Sequence, residues 1–300
     1  MKEDHLMAST TTTNPLGIHA LVWEGNTSVD EVQSIVAQSA KAGYDLVELS
    51  LHDLENLDVA STRAALDEAG LKVACSRGLA FDADVSSPDT GVVARGLALL
   101  QESLAATAAL GGTVFTGALY SALGKYGSAM TPDGRGNAVA ALRELASEAE
   151  KLGVTLGLEI CNRYETNVIN TARQALRFAD DIGSDNVMIH LDTYHMNIEE
   201  DDLVRPVLEV GSRLGYVHVG ENHRGYLGSG HLDLPGFFHA LADVNYSGPI
   251  TFESFSSSVV ARGLSDDLAV WRDLWDDGAD LAAHAHRYLT THLAVSGPRD

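Results

Sequence analysis

The sequence predicts a (β/α)8 TIM barrel forming a single domain, and three observations carry the prediction. Eight short, β-branched apolar segments alternate with longer segments of helical period. The short segments are apolar runs rather than alternating patterns, as parallel strands covered on both faces require. The first of them is followed by Leu21-Val-Trp-Glu-Gly-Asn26, which lacks the glycine-rich turn of an open doubly wound sheet. With 300 residues, 45% of them apolar, the chain can fill one large core, and no linker or composition break divides it.

Residues 1–14 end in a polar Ser/Thr run and are expected to be a disordered extension, with the barrel domain spanning 15–300. Strands are expected at 17–22, 46–51, 72–76, 113–116, 155–160, 187–192, 215–219 and 249–253. Between them, Ser28 and Glu31 form a capping box, and Val32, Ile35, Val36 and Ser39 repeat at helical spacing until Gly43. Ser87 followed by Pro88 reads as a cap with proline in the first turn. Asn170 opens a helix whose inner stripe is Ala172, Ala175, Leu176 and Ala179, closed by Gly183, and Asp233 with Pro235 opens another.

Charge narrows the function. Lys plus Arg number 20 against 42 Asp plus Glu, a net charge of −22. Such a surface repels phosphate backbones and anionic membranes, so neither nucleic acid nor a membrane is expected as a partner. No apolar run approaches the ~18 residues of a membrane span. The N-terminal residues lack the layout of a signal peptide, and the two cysteines, Cys75 and Cys161, sit in apolar strand-like segments as free thiols. A cytoplasmic protein is the expectation.

In such a barrel, catalysis belongs at the C-terminal ends of the strands. The last four strands end in Glu159, Asp192, His218 and Glu253, each about one βα unit from the next. One carboxylate ending a strand is ordinarily rim solvation or a helix cap. Three carboxylates ending successive apolar strands, with one imidazole among them, would repel one another and each be costly to desolvate unless a cation joined them. This hard, oxygen-rich set suits Mn²⁺, Mg²⁺ or Co²⁺ better than structural zinc. Six of the 12 histidines, His190, His195, His218, His223, His231 and His239, crowd the same region. His190 reads as a packed or supporting residue, His239 as part of a helix, and His284, His286 and His292 as members of the C-terminal helix.

The strings Glu159-Ile-Cys-Asn-Arg-Tyr-Glu165, Leu191-Asp-Thr-Tyr-His-Met-Asn-Ile-Glu-Glu200 and His218-Val-Gly-Glu-Asn-His-Arg224 resemble the ketose 3-epimerases, the D-tagatose and D-allulose (psicose) 3-epimerases of the xylose-isomerase-like barrel superfamily. The likeness runs from Gly17 to about Arg287. It implies a (β/α)8 enzyme that uses one divalent metal ion per subunit, Mn²⁺ foremost, on free ketoses, and that assembles as a homodimer or homotetramer. It further implies that Glu159, Asp192, His218 and Glu253 are the metal ligands, that Glu159 and Glu253 are the acid/base pair, and that Glu165, His195 and Arg224 hold the O1–O3 end of the sugar.

The chemistry of the residues agrees. Epimerisation at C3 removes a proton beside a carbonyl and returns it on the opposite face, which calls for two bases and a means of stabilising the enediolate. Strands 5 and 8 are three steps apart on an eight-membered ring, so their ends can face each other across a substrate. Arg224 alone, without a glycine-rich nest, is thin support for a phosphate ligand, so the expected sugar is unphosphorylated. The sequence departs from the family pattern at His19, where an aromatic residue is common, and in the loop Gly117-Ala-Leu-Tyr-Ser-Ala-Leu123, where a Trp is common. His19 is either a substrate contact or a packed strand histidine. Trp23, Leu123 and Phe255 are candidates for an apolar wall, and core packing is the commoner fate of such residues. Three alternatives stay open: a hydroxypyruvate isomerase-like or inosose dehydratase-like enzyme on the same barrel, a sugar-binding or metal-storing protein without turnover, and an endonuclease IV-like barrel. The acidic charge opposes the last.

Overall fold

A computed structural model describes residues 14–23, 28–260, 265–266 and 268–296. Eight parallel strands close into a barrel in chain order: β1 (Leu16–His19), β2 (Leu46–Ser50), β3 (Lys72–Ser76), β4 (Val114–Gly117), β5 (Thr155–Glu159), β6 (Val187–Asp192), β7 (Leu214–Val219) and β8 (Ile250–Phe252). β1 closes the ring on β8 with Gly17 opposite Thr251. The register shifts between Ile189 and His190, where β6 meets β7. The outer layer is α1 (Val29–Lys41), α2 (Val59–Ala69), α3 (Thr90–Ala109), α4 (Pro132–Leu152), α5 (Ala172–Ile182), α6 (Thr193–Glu199), α7 (Arg205–Val210), α8 (Leu234–Asp243) and α9 (Gly278–Val295). No helix among the described residues is long and apolar enough to cross a membrane. The expected disordered extension lies outside the described residues except for Asn14, whose amide donates to the carbonyls of Tyr246 and Gly248.

Local chemistry explains where the expected boundaries move. The first strand stops at His19 rather than Val22, because His19 Nδ1 accepts the Leu21 N–H and turns the chain into a 3₁₀ segment, Ala20–Val22. The Ser87–Pro88 pair does not cap α3: Asp89 does, accepting from Gly91 and Val92, while Ser87 accepts the Asp89 N–H in the turn before it. Thr171 rather than Asn170 caps α5, in a capping box with Gln174. Asn170 instead ties that loop to the carbonyls of Cys161 and Thr166. The α1 capping box, the Asp233 cap of α8 and the left-handed Gly183 after α5 all form.

The middle of the barrel is polar, which is what positions the site above it. Barrel interiors are ordinarily filled by branched apolar side chains. Here Glu48, Thr116, His190, Tyr216 and Thr251 are all fully buried. Two of their hydrogen bonds, Tyr216 to Glu48 and Thr116 to His190, join strands that are not neighbours, and two more join adjacent strands. Tyr216 Oη donates to Glu48 Oε2 at 2.9 Å and lies 2.7 Å from Thr251 Oγ1. Thr116 Oγ1 lies 2.8 Å from His190 Nδ1 and donates to the Gly157 carbonyl. Two glycines make room for this layer. A Cβ on Gly17 would stand 2.3 Å from Thr251 Oγ1, and one on Gly157 2.5 Å from Thr116 Oγ1.

Gly157→Ala is therefore expected to lower stability by about 1–3 kcal/mol through overpacking. Gly136→Ala in α4, where an added Cβ meets nothing within 4 Å, is expected to raise it by about 0.5 kcal/mol. Denaturant midpoints of the two variants provide the check, and equal effects would contradict the packing account.

Candidate active site

The four expected rim residues converge. Glu159, Asp192, His218 and Glu253 each offer one ligand atom, and these atoms all lie within 4.8 Å of one another. His218 Nδ1 is 3.4 Å from Glu159 Oε1, 3.6 Å from Asp192 Oδ2 and 3.4 Å from Glu253 Oε1. Asp192 is also the N-cap of α6. Its Oδ1 accepts from the N–H groups of Tyr194 and His195, which leaves Oδ2 aimed at the site. Asp192 Oδ2 and His218 Nδ1 are buried without a hydrogen-bond partner. Two orphaned buried donor atoms, facing each other among further carboxylates, fit a hard divalent cation.

The neighbouring residues line an open pocket at the mouth of the barrel, among them Glu159, Glu165, His195, Arg224 and Glu253. His195 Nδ1 accepts the Asn162 N–H at 3.2 Å, so Nε2 carries its proton into the pocket. From there Nε2 stands 3.8 Å from Glu159, 3.9 Å from Glu165 and 3.9 Å from Asp192. The side chain of Asn162 holds Glu165 Oε1 at 2.8 Å. Arg224 contacts Glu253 Oε2, lies 3.7 Å from Asp192, and is stacked between Tyr194 at 3.8 Å and Phe255 at 4.6 Å. Its φ of 63° is left-handed, a strained conformation for a long side chain that the surrounding contacts must hold.

His19, the departure in the first strand, lines the pocket. Its Nε2 lies 3.6 Å from Glu48 and 4.0 Å from Glu253. Phe255 and Leu123 also line the pocket, with Leu21 and Leu268. Trp23 does not: its indole donates to Ser39 Oγ and its ring packs in the core. In the loop after β4, Tyr120 turns away from the pocket to donate to the Glu159 carbonyl, so Gly117, Ala118 and Leu123 form that wall. His190 is packed beneath His218, edge to face, with ring centroids 4.1 Å apart.

Two residues escaped the sequence reading. Asn162, inside the quoted 159–165 string, is buried and orients both His195 and Glu165. Glu48, in the middle of β2, lies 2.7 Å from His218 Nε2. A charged residue at an inward position of an otherwise apolar strand was the available signal for it.

Burial and neighbouring charge polarise the cluster. Burial, reinforced by Asp192 and Glu159, pushes the Glu253 carboxyl up to about 8. Burial also opposes ionisation of Glu159, but His190, His218 and His195 outweigh it and hold that carboxyl at about 2. Burial disfavours charge on His218 too, yet Glu48 and Glu253, with Asp192 and Glu159, raise its affinity for a proton well above the ordinary value.

Fold and site together define an enzyme barrel with a polar, carboxylate-rich mouth. The chain belongs to the xylose isomerase-like TIM barrel family, whose model matches residues 36–289. Within that family it stands among the ketose 3-epimerases and is a carbohydrate epimerase. It is 47% identical over 273 residues to the L-ribulose 3-epimerase of Methylomonas sp. (strain DH-1), covering 91% of this chain and 96% of the relative. It is 47% identical over 280 residues to the ketose 3-epimerase of Arthrobacter globiformis, covering 93% of this chain and 97% of the relative. The crystal structure of the Methylomonas sp. D-allulose 3-epimerase in complex with D-allulose superposes with a TM-score of 0.91 at 46% identity, covering 93% of this chain and 97% of that one.

The protonation pattern yields a pH dependence for the chelator-treated protein. Between pH 6.5 and 8, folded Glu253 and His218 retain protons that the unfolded chain has released. Raised folded-state values give stability that is lost as pH rises. Unfolding free energy should fall by on the order of 2 kcal/mol across this window, and Glu253→Gln should flatten the slope. Urea titrations at pH 6.5 and 8 measure it; a rise in stability would refute the assignment.

Proposed function

We propose that the protein inverts C3 of free ketoses of the D-allulose/D-fructose, D-tagatose/D-sorbose or L-ribulose type. Glu159, Asp192, His218 and Glu253 would hold one divalent cation, with Mn²⁺ preferred and Mg²⁺ or Co²⁺ as substitutes. The observation that carries the reading is the meeting of these four donor sets beside a pocket at the barrel mouth, in a chain whose relatives over nearly its full length are 3-epimerases. When bound, the cation supplies Lewis-acid stabilisation of the negative charge that develops on the sugar oxygens.

The protein's own groups do the rest. One of Glu159 and Glu253 removes the C3 proton, the C–H electron pair moves toward the C2 carbonyl, and the other glutamate delivers a proton to the opposite face of C3. The two carboxylates have different flanks, His195 beside Glu159 and Arg224 against Glu253, so each is approached from its own side of the pocket. Turnover exchanges their protonation states, and proton exchange with solvent restores them. The N–H donors of His195 and Arg224, with the carboxylate of Glu165, face the O1–O3 end of the sugar. His19 and Phe255 contact its remainder, beside the leucine wall. The free, buried Cys75 and Cys161 suit a reducing cytoplasm, and the family resemblance supports a homodimer or homotetramer, which mass measurement in solution checks.

Purified protein with Mn²⁺ should convert D-allulose, D-fructose or L-ribulose to the 3-epimer, resolved by chromatography. In D₂O the product should carry deuterium at C3. Glu159→Gln and Glu253→Gln should each lower kcat by about 10²–10⁴-fold. Absence of a 3-epimer from every ketose tried, with all three cations, would overturn the reading.

A further inference from the structure

We propose that Glu48 is a positioning residue for the cation site, its buried carboxylate fixing the tautomer and orientation of His218 so that Nδ1 is bare where the three carboxylates converge. The proposal rests on the reading that those residues bind a divalent cation. Glu48 lies outside that ligand set, in mid-strand on β2, across the barrel from β7.

The argument begins with the two nitrogens of His218. Nε2 lies 2.7 Å from Glu48 Oε2, and Nδ1 faces Glu159, Asp192 and Glu253 with no hydrogen-bond partner. The Tyr216 hydroxyl donates its single proton to the same Glu48 oxygen. Oε2 thus accepts from two donors, which requires the proton on His218 Nε2 and leaves Nδ1 free to act as an electron-pair donor. An imidazole whose outer N–H is held by a carboxylate is more basic and is fixed in its ring plane, and both properties favour cation binding. The backing extends further down. Tyr216 lies 2.7 Å from Thr251 Oγ1, and the His190 ring meets His218 at 90°, so the imidazole is braced on its edge and its flank.

The arrangement also explains why a charge is tolerated so deep. Glu48 is fully buried, and its second oxygen has no hydrogen-bond partner, lying 3.6 Å from His19 Nε2. A buried carboxylate kept only for packing would be costly next to three others. Its position under the one imidazole of the cluster gives it a task that an apolar residue cannot perform. Since His19 Nε2 also lies 4.0 Å from Glu253, Glu48 and Glu253 share a histidine at the pocket wall.

The test compares wild type, Glu48→Gln and Tyr216→Phe. Mn²⁺ affinity is measured by calorimetry, and the tautomer of neutral His218 in metal-free protein by ¹⁵N chemical shifts followed to a pH above its titration. Glu48→Gln is expected to weaken Mn²⁺ binding about 10- to 100-fold and to shift proton occupancy from Nε2 toward Nδ1. Tyr216→Phe should move both readouts in the same direction by less, and it carries the test if Glu48→Gln does not fold. A merely structural Glu48 would alter the melting temperature but not the tautomer. Wild-type binding with variant affinities within twofold and unchanged shifts would overturn the role of Glu48 alone. Failure of wild type to bind Mn²⁺ would overturn the cation site, and this inference with it.

Discussion

Three carboxylates and one imidazole occupy a space less than 5 Å across at the mouth of a barrel, and most of them are buried. Like charges at that range in a desolvated setting repel strongly, so the cluster cannot be a resting arrangement of bare anions. Much of the surrounding structure compensates. Asp192 gives one oxygen to the N-terminus of α6, where two N–H groups neutralise part of its charge. Arg224 is held against Glu253 in a strained backbone conformation between two aromatic faces. The same carboxylates, with Glu48, raise the proton affinity of His218 well above its ordinary value. A divalent ion held there, as proposed, would supply two positive charges at the same point.

The same constraint reaches below the rim. An imidazole directed upward at three carboxylates needs a hydrogen-bond acceptor beneath it, and that acceptor needs its own partners. The result is the polar layer of Glu48, Tyr216 and Thr251 on one side of the lumen, and His190 and Thr116 on the other. Polar side chains bridging a barrel occupy more defined directions than packed aliphatic ones. Two strands yield a glycine so that the hydroxyls of Thr251 and Thr116 fit. The barrel interior is thus shaped by the site as much as by the hydrophobic effect.

Much of this was legible in the sequence, for a physical reason. Parallel strands buried on both faces write themselves as apolar runs, and a charged residue that ends such a run stands at the catalytic rim. Glu159, Asp192, His218 and Glu253 were visible on that rule alone. Glu48 obeyed no such rule, because it interrupts Leu46–Ser50 in the middle and its partner lies 170 residues away. The Ser87–Pro88 cap was misread because Ser and Asp compete as caps over short distances, and Asp89 offered the better reach to two N–H groups. Trp23 was ambiguous since a large amphipathic ring reads alike whether its polar atom meets Ser39 Oγ or a ligand. The far wall of the pocket is built from loops, whose directions no periodicity encodes.

Three histidines around the pocket show how the fold assigns chemistry to identical side chains. His19 and His195 each accept a backbone N–H at Nδ1, from Leu21 and Asn162, so each presents an Nε2–H donor to the pocket. His218 is reversed: Glu48 claims its Nε2 proton, and its bare Nδ1 faces the carboxylates. Donors suit the carbonyl and hydroxyl oxygens of a sugar, and a lone pair suits a cation. The assignments come from backbone turns and a buried carboxylate, not from the imidazoles. A substitution that merely redirects the N–H of Leu21 or Asn162 would therefore change what the neighbouring histidine can bind while leaving every pocket side chain in place.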